Sequence, residues 1–334
     1  MTIKEIAALA GTSRGTVDRV LNGRGNVNPE LAEKILQIAQ TNNYQPNQLA
    51  QALINSRRQM TIGVVIHSLG NAFFDEVLRG IRNRANKYAS YGLKVIIKEI
   101  RGYSSSEQLR AVDELLEEGI EALAIMPLDL PEVREKLGAL GLPLVMFNTD
   151  IRDMEKLAFV GCDYYNSGGL SGDMAKLILG RYGGRAGVVI GSSMLYGHKQ
   201  RIEGFRDSLS ETPGISLVSC VENADDDKLS YSVTRDLIAK HKPDLIYFAA
   251  AGIEGGIKAV LDSGEDIRVI TVDETKVTKD YLKRGVISAT VTQQPYEQGS
   301  LTIKILFDYL SSGKSPREPY NYTENQVKLR SSLR

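Results

Sequence analysis

The 334-residue sequence contains no tryptophan, only two cysteines and only three histidines. Cys162 and Cys220 are too few for a framework of disulfide bridges and do not have the spacing of a metal site, which favours a reducing compartment. The histidines at positions 67, 198 and 241 are scattered and also lack metal-ligand spacing. We therefore expect neither a metal nor any other cofactor.

Long apolar runs and enzyme signatures are absent as well. No stretch approaches the roughly 18 apolar residues of a membrane-spanning helix, and the N-terminus lacks the layout of a signal peptide. The sequence contains no G-x-S-x-G motif, no P-loop and no kinase signature. We expect a soluble, cytoplasmic protein that is not an enzyme and has no membrane partner.

Two weaker enzyme-like features have simpler interpretations. Gly168, Gly169 and Gly172 stand at the start of a predicted helix that follows a strand, but their order is not that of the dinucleotide turn G-x-G-x-x-G. Small residues that let a helix pack on a sheet explain them better. His198 could line a pocket, but a surface or loop position is the favoured interpretation.

The charge balance hides an asymmetry. The chain has 41 basic and 41 acidic residues, yet residues 1–58 hold seven Lys or Arg against four Asp or Glu. The head is therefore basic and the remainder acidic, which predicts that a polyanion binds at one end only. The length predicts two or three domains.

The N-terminal stretch has the pattern of a helix, a tight turn and a second helix. Thr2 and Glu5 can form a capping box, and Gly11 stands where the first helix has to end. Ser13 is a suitable cap for a second helix over roughly residues 14–21. A third helix is predicted over residues 29–42, with proline at its first position.

The second predicted helix turns Arg14 and Arg19 away from its apolar side. A helix-turn-helix presents its second helix to the DNA major groove in this manner, although an ordinary helical hairpin shares the pattern. On the first helix, either Leu9 or Ala10 completes the buried face. Residues 47–54 form a fourth helical stretch that is too short to hold a helix alone in water. We expect such a stretch to fold only against a partner.

From Met60 onward, short apolar strands alternate with helices. This alternation predicts two lobes, each built on a doubly wound parallel sheet, with the strand at 158–161 assigned to the second lobe. Ligands of such sheets bind beyond the carboxyl ends of the strands, which points to Asn71-Ala-Phe-Phe74 after the first strand. Adjacent aromatic residues at such a corner are, however, more often core than ligand platform.

Three segments carry a resemblance to a known family. Residues 12–22, the turn at Gly25, Val27 and Pro29, and residues 44–53 resemble the headpiece and hinge helix of the lactose/galactose-repressor family of bacterial transcription regulators. The rest of the chain resembles the sugar-binding core of that family, so the resemblance spans nearly all of the sequence. It implies a periplasmic-binding-protein-like α/β core behind an all-α helix-turn-helix domain.

The resemblance also implies a set of DNA contacts. Arg14 would address guanine as a bidentate donor, which is worth ~1–3 kcal/mol of discrimination. Gly15 departs from members that carry a side chain there, and glycine inside a helix costs about 1 kcal/mol. Leu53 would be pushed into a minor-groove base step. The full set is Thr2, Ser13, Arg14, Gly15, Thr16, Arg19, Asn22, Asn47, Ala50 and Leu53.

A sugar-binding cleft follows from the resemblance in the same way. The aromatic pair after the first strand matches a corner that stacks on a sugar face, and carboxylates and amides suit vicinal hydroxyls. Met126 and Ala251-Gly252 stand where sugar binders often carry asparagine, so the pocket should be less polar at two corners, and a pentose, hexose, polyol, deoxy sugar or amino sugar all fit. Arg201 could equally hold a carboxylate or phosphate. The implied effector contacts are Asn71, Phe73, Phe74, Asn148 or Asp150, Arg201, Asp273 and Gln293.

We interpret the chain as a homodimeric, DNA-binding transcriptional repressor under allosteric control by a small sugar or polyol. The predicted domains are the helix-turn-helix at 1–46, the hinge and linker at 47–59 and the effector-binding core at 60–334. Lobe 1 covers about 60–150 and 293–323, and lobe 2 about 151–292 and 324–334. Double-stranded operator DNA is the expected partner; a soluble sugar-binding receptor without a DNA-binding role is the alternative.

Overall fold

The computed structural model describes residues 2–21, 27–42, 59–210 and 212–333. The predicted DNA contacts Asn22, Asn47, Ala50 and Leu53 lie outside the described residues, as does the predicted hinge and linker except for Gln59. Two compact units are present, a helical head and a core that begins at Met60, and each is described by itself. Within the described ranges, no helix is both long and apolar enough to cross a membrane.

The head consists of α1 (Ile3–Ala10), α2 (Arg14–Leu21) and α3 (Pro29–Thr41). The predicted capping box is present, because the Glu5 amide donates to the Thr2 hydroxyl at 3.3 Å and the Thr2 amide donates to the Glu5 carboxylate at 2.8 Å. Gly11 ends α1 in the left-handed conformation, with φ of 72°. Local signals in the sequence therefore set the boundaries of α1.

Apolar side chains from all three helices close the core of the head. Ile6, Val17 and Ile35 are fully buried at its centre. Ala10 completes the buried face of α1, whereas Leu9 is 57% exposed. The three helices thus enclose one small core, which leaves the polar side of α2 open.

The core alternates strands and helices along the chain, as the sequence predicts. Its strands are β1 (Met60–Leu69), β2 (Leu93–Arg101), β3 (Ala122–Ile125), β4 (Leu144–Phe147), β5 (Ala158–Cys162), β6 (Gly184–Ile190), β7 (Ile215–Glu222), β8 (Leu245–Phe248), β9 (Arg268–Val272), β10 (Ala289–Thr292), β11 (Tyr320–Thr323) and β12 (Gln326–Lys328). Its helices are α4 (Phe73–Tyr88), α5 (Ser105–Glu117), α6 (Pro131–Gly138), α7 (Tyr164–Leu179), α8 (Tyr196–Ser210), α9 (Asp227–His241), α10 (Ile253–Ser263), α11 (Lys276–Lys283) and α12 (Pro295–Ser312). Short 3-10 turns cover 89–91, 180–182 and 330–332.

Two six-stranded sheets form the lobes, with the orders β11-β5-β4-β3-β1-β2 and β12-β10-β9-β8-β6-β7. All described strand pairs are parallel except β10 with β12. The chain changes sheet between β5 and β6, between β10 and β11, and between β11 and β12. Because α12 packs on α4 and β4, it belongs to the first lobe.

The assignment of the strand at 158–161 to the second lobe was wrong. This strand is β5, and it pairs with β4 on one side and with β11 on the other, both in the first sheet. The first change of lobe therefore follows Cys162 instead of preceding Ala158. A short, wholly apolar parallel strand fits either sheet equally well, so the hydrogen-bonding partners alone decide its place.

Two of the three glycines of α7, Gly168 and Gly172, pack against another helix instead of a sheet, which corrects the packing predicted for them. A Cβ on Gly168 would lie 2.1 Å from the Arg201 carbonyl oxygen of α8, and one on Gly172 would lie 2.6 Å from Ser208 Cβ. From the other side, a Cβ on Gly204 would lie 2.0 Å from the Tyr165 carbonyl oxygen. The backbones of α7 and α8 can approach this closely only because these positions lack side chains. The contact includes the backbone of Arg201, in the second turn of α8.

Candidate ligand cleft and DNA-binding surface

A cleft between the lobes lies beyond the carboxyl ends of the strands of both sheets. Its cavity volume is about 30 Å³, so the side chains of the two lobes lie close together across it. The side chains that line it are Asn71, Phe73, Phe74, Tyr103, Met126, Asn148, Tyr164, Leu195, His198, Arg201, Asp225, Ala250, Ala251, Asp273 and Gln293. Seven of the eight predicted effector contacts are among them.

The first lobe contributes an aromatic corner after β1. The Asn71 side chain accepts a hydrogen bond from the Phe73 amide at 3.0 Å, which fixes the turn into α4. Phe73 and Phe74 are buried and meet edge to face, with ring centroids 5.0 Å apart and an interplanar angle of 80°. Two rings held in this way present an apolar surface of fixed shape to the cleft.

Arg201 reaches the cleft from the second lobe. Its side chain is 2% exposed and lies over the Tyr164 ring, with Cζ 4.7 Å from the ring centroid. Nη1 donates to the Ala249 carbonyl at 2.9 Å, whereas Nε and Nη2 have no hydrogen-bond partner in the described structure. A buried guanidinium with unused donors is costly unless another acceptor satisfies it. These donors are therefore suited to a ligand oxygen.

Asp273 and Gln293 form a hydrogen-bonded pair beside Arg201. The Gln293 amide donates to Asp273 Oδ1 at 2.7 Å, and the Cys162 thiol donates to Gln293 Oε1 at 3.1 Å. Asp273 has φ of 67°, in the left-handed region that few non-glycine residues occupy. Burial raises the pKa of the Asp273 carboxyl to about 6, against the opposing effects of Arg201 and Gln293. A carboxylate in this position can accept hydrogen bonds from hydroxyl groups.

Of the two alternatives after β4, only Asn148 lines the cleft. Its side chain donates to Gln298 Oε1 at 3.2 Å, and its φ is 62°. Asp150 does not reach the cleft, because its carboxylate is held in a buried ion pair with Lys156 at 3.1 Å. This ion pair corrects the alternative that gave Asp150 a ligand contact.

Sequence reasoning missed several lining residues. His198 is buried in the cleft wall, with Nδ1 3.1 Å from the Ser192 amide nitrogen, so the expected surface position was wrong. Burial lowers the pKa of His198. Tyr103 follows β2, and Asp225 follows β7. The rule that ligands bind beyond strand ends would have found both, had it been applied to every strand.

Two corners of the cleft are apolar, as predicted. Met126 and Ala251 both line it, at positions where an amide would have offered a donor and an acceptor. Charged side chains are restricted to Arg201, Asp225 and Asp273 among the lining residues. Within the described residues, no group of three His, Cys, Asp or Glu side chains is arranged to hold a metal ion.

The head presents the polar side of α2. Arg14, Gly15 and Arg19 are exposed, and Arg14 makes no hydrogen bond or ion pair within the part of the chain that the structure describes. Ser13 caps α2, because its hydroxyl accepts from the Thr16 amide at 3.2 Å and lies 2.9 Å from the Thr16 hydroxyl. An unpartnered arginine at the start of such a helix is available for a base edge.

Three more features of the head bear on the predicted contacts. Arg19 Nε donates to the Gly15 carbonyl at 3.3 Å, which directs its side chain along the helix. A Cβ on Gly15 would meet only Ser13 Oγ, at 3.9 Å, so packing within the head does not require glycine there. Thr2 is exposed but is engaged in the capping box of α1.

Comparison with known proteins identifies both parts of the chain. Residues 62–315 match the periplasmic binding protein domain, and residues 2–47 match the lacI family of bacterial regulatory proteins. The ribose import binding protein of Bacillus subtilis is 28% identical over 265 residues, which cover 78% of this chain and 84% of that protein. The ribose operon repressor of Haemophilus influenzae is 25% identical over 327 residues, covering 96% and 94%.

Among solved structures, the glucose-galactose binding protein GanP from Geobacillus stearothermophilus has a similar fold. Its TM-score is 0.77 at 23% sequence identity, and the match covers 83% of this chain and 99% of that one. This likeness confirms the predicted architecture of the core.

The two matched segments leave little of the chain outside a known family. They confirm the family resemblance seen in the sequence, and the regulators of this family are not enzymes, as predicted. Membership implies binding of operator DNA and of a small effector. The chain belongs to the lacI family of bacterial regulatory proteins: it is a transcriptional regulator with a helix-turn-helix head and a ligand-binding core of the periplasmic-binding-protein type.

Proposed function

We propose that this regulator is a homodimeric repressor whose affinity for operator DNA depends on a sugar or polyol bound between its lobes. The observation that carries the proposal is the convergence of Arg201, Asp273 and Gln293 on the cleft beside two aromatic rings. Unused donors on Arg201 and a carboxylate on Asp273 match a hydroxyl group, which both donates and accepts. The apolar faces of Phe73 and Phe74 match the C–H face of a sugar ring.

A neutral effector suits the cleft better than an anion. Arg201 is the only cation among the lining side chains, and Asp225 and Asp273 lie in the same cleft. An acidic ligand would bring a further negative charge beside two carboxylates, which costs more in a buried site than in water. The alternative of a phosphosugar or sugar acid is therefore disfavoured.

Coupling between the cleft and the DNA follows from linkage. An effector that fits one separation of the lobes better than another shifts the population towards that separation, and the shift changes the relation of the two cores in a dimer. The hinge predicted from the sequence at residues 47–54, which lies outside the described residues, is the segment through which that relation would reach the DNA. Two heads imply a near-palindromic operator, with Arg14 reading each half. Because the operator lies on the chromosome, the cytoplasm is the compartment in which the repressor acts.

Arg14→Ala tests the DNA-binding role of α2. Duplexes are first selected by the wild-type protein from a random-sequence pool, and affinities are then measured by fluorescence anisotropy at several salt concentrations. Wild-type affinity should fall steeply with salt, because Lys and Arg release counterions from the duplex. Each lost base contact of ~1–3 kcal/mol corresponds to about 10- to 100-fold, and because the dimer has two Arg14 residues, the variant should lose about 10²- to 10⁴-fold in affinity for the whole operator.

Arg235→Ala serves as the control for charge. Arg235 is exposed on α9 of the core. Arg235→Ala therefore removes as much positive charge as Arg14→Ala does, but leaves the sequence of the head unchanged. Its affinity should equal that of the wild type. If the wild-type protein selects no duplex, or if both variants bind alike, α2 does not read DNA in the proposed way.

The effector is tested with a panel of pentoses, hexoses and polyols. At least one compound should raise the midpoint of thermal unfolding, because a ligand of the native state stabilises it by RT ln(1 + [L]/Kd). The same compound should change the affinity for the selected duplex, since coupling between two sites is reciprocal. A compound that stabilises the core but leaves DNA affinity unchanged would refute the allosteric part of the proposal. The phosphates of the same sugars are tested in parallel, and stabilisation by these phosphates alone would refute the proposal of a neutral effector.

A further inference from the structure

A hydrogen bond between Tyr103 and Asp225 joins the two lobes at the mouth of the cleft. The Tyr103 phenol, after β2 of the first lobe, donates to Asp225 Oδ2, after β7 of the second. Inside this pair lies the cavity with Arg201; outside it lies a groove of about 380 Å³ that reaches Arg101 and Lys228. Because Tyr103 and Asp225 line both spaces, the pair forms the wall between them.

Hydrogen bonds within the second lobe hold Asp225 in place without the help of Tyr103. Its Oδ1 accepts from the Ala251 amide at 2.9 Å, and its own amide donates to Asn223 Oδ1 at 2.9 Å. Asn223 is fully buried and also donates to the Ala251 carbonyl at 2.7 Å. Ala224 and Asp225 have φ of 50° and 57°, a left-handed pair that is sparsely populated without glycine. The surrounding contacts keep this strained turn aimed at the first lobe.

The first lobe holds Tyr103 through a buried histidine. His67 Nδ1 lies 2.7 Å from the Gly102 carbonyl, which can only accept, so Nδ1 carries the proton. His67 Nε2 accepts from Gln108 Nε2 at 2.7 Å, and the same amide nitrogen donates to the Met126 carbonyl at 2.9 Å. Burial lowers the pKa of His67, in agreement with a neutral ring. Burial also raises the pKa of the Tyr103 phenol, which therefore keeps the proton that it donates.

We propose that Tyr103 and Asp225 form a clasp that keeps the lobes closed and separates the effector from the outer groove, so that the effector is no larger than one sugar ring. Each partner is oriented by a buried network in its own lobe, so the clasp forms without rearrangement of either loop. A hydrogen bond to a charged acceptor changes an equilibrium by about ten- to a hundredfold. The size limit rests on the proposed sugar effector, whereas the closing role does not.

The closing role is tested by the distance between the lobes in the full-length protein after dialysis. One spin label is attached to Cys220 of the second lobe, which is exposed, and another to a cysteine introduced at exposed Glu117 of the first lobe. Cys162 is buried and stays unlabelled. Double electron–electron resonance on labelled protein diluted with an excess of unlabelled protein, which suppresses distances between copies, should give one short distance between the lobes of this parent protein. In Tyr103→Phe, which removes only the hydroxyl, the ratio of short to long distances should fall by about ten- to a hundredfold.

Tyr231→Phe is the matched control. It removes a tyrosine–aspartate hydrogen bond of 3.1 Å to Asp262 that lies within the second lobe. The distance distribution of this variant should equal that of the parent. A long distance already present in the parent, or a short one retained in Tyr103→Phe, overturns the clasp.

The size limit is tested by thermal unfolding with D-ribose, D-galactose and the disaccharide lactose. A monosaccharide should stabilise the parent and lactose should not, whereas Tyr103→Ala, which removes the wall, should be stabilised by lactose as well. Stabilisation of the parent by lactose overturns the size limit. If no probe stabilises either protein, the sugar effector and the size limit both fail, and the distance measurement still decides the closing role.

Discussion

Gly204→Ala is expected to lower the free energy of unfolding of the core by about 3 kcal/mol, the upper end of the usual cost of overpacking. The new Cβ would lie 2.0 Å from the carbonyl oxygen of Tyr165, a backbone atom that cannot move aside as a side-chain end can. Relief requires α7 and α8 to separate, and separation breaks the close packing along both helices. Urea denaturation followed by circular dichroism measures the loss.

Gly169→Ala provides the matched control within the same helix pair. A Cβ at Gly169 meets no atom within 4 Å, so this variant should gain roughly 0.5–1 kcal/mol from the higher helix propensity of alanine. Because Arg201 stands on α8, Gly204→Ala should also weaken stabilisation by any sugar that binds the wild type. Equal stability of the two variants would show that the helices are not held by the glycine contact.

Asp273→Asn is expected to stabilise the protein without effector at pH 7 while abolishing its stabilisation by sugars. Burial raises the pKa of the Asp273 carboxyl from 3.8 to about 6, so the folded chain disfavours the charged form that it holds at neutral pH. Each pKa unit corresponds to about 1.4 kcal/mol, which gives a gain of up to roughly 3 kcal/mol when the charge is removed. The asparagine cannot accept hydrogen bonds with two oxygens, so the effector loses an acceptor.

The stability difference between Asp273→Asn and the wild type should depend on pH, because the pKa of the Asp273 carboxyl is raised by folding. A group whose folded pKa is raised stabilises the fold in its protonated form below the unfolded value, and this contribution is lost as pH rises through the folded value. The advantage of Asp273→Asn should therefore be full above pH 6 and should vanish as the pH falls to about 4. Buried His67 and His198, whose pKa values are lowered, titrate in both proteins and cancel in the difference.

Urea denaturation between pH 4 and pH 8 measures the difference in stability between Asp273→Asn and the wild type. Asp266→Asn is the control, because the Asp266 side chain is 84% exposed and a surface carboxylate of this kind contributes little to stability, so this variant should match the wild type. If Asp273→Asn is less stable than the wild type at pH 7, the carboxylate contributes to folding instead of being held at a cost.

The cleft therefore contains groups that destabilise the folded protein when no ligand is bound. Arg201 keeps two buried donors without partners, and Asp273 holds a disfavoured charge in a left-handed backbone conformation. Such features concentrate where a protein binds a ligand, because the ligand supplies the missing interactions. Asp273→Asn is expected to be more stable and to bind the effector less well for the same reason, because the charge that it removes destabilises the free protein and serves the ligand.

The sequence by itself determined the helices of the head and the general architecture of the core, because both depend on signals between residues close in the chain. A capping box at Thr2, a left-handed glycine at Gly11 and a helix-starting proline at Pro29 act over a few residues, so each could be recognised without the fold. The alternation of apolar strands and helices determined two parallel sheets, and the strand-end rule located the cleft. Family resemblance then assigned Arg201, Asp273 and Gln293 to it.

Contacts between residues far apart in the chain were decided only by the tertiary structure. The partners of β5 lie in β4 and in β11, some 160 residues later, so its apolar sequence could not assign it to a sheet. Asn148 and Asp150 are both buried polar residues after one strand, and the ion pair of Asp150 with Lys156 separates their roles. The bond between Tyr103 and Asp225 spans 122 residues and two lobes. No local pattern encodes such pairs, because their energy exists only once the folded chain has brought the two side chains together.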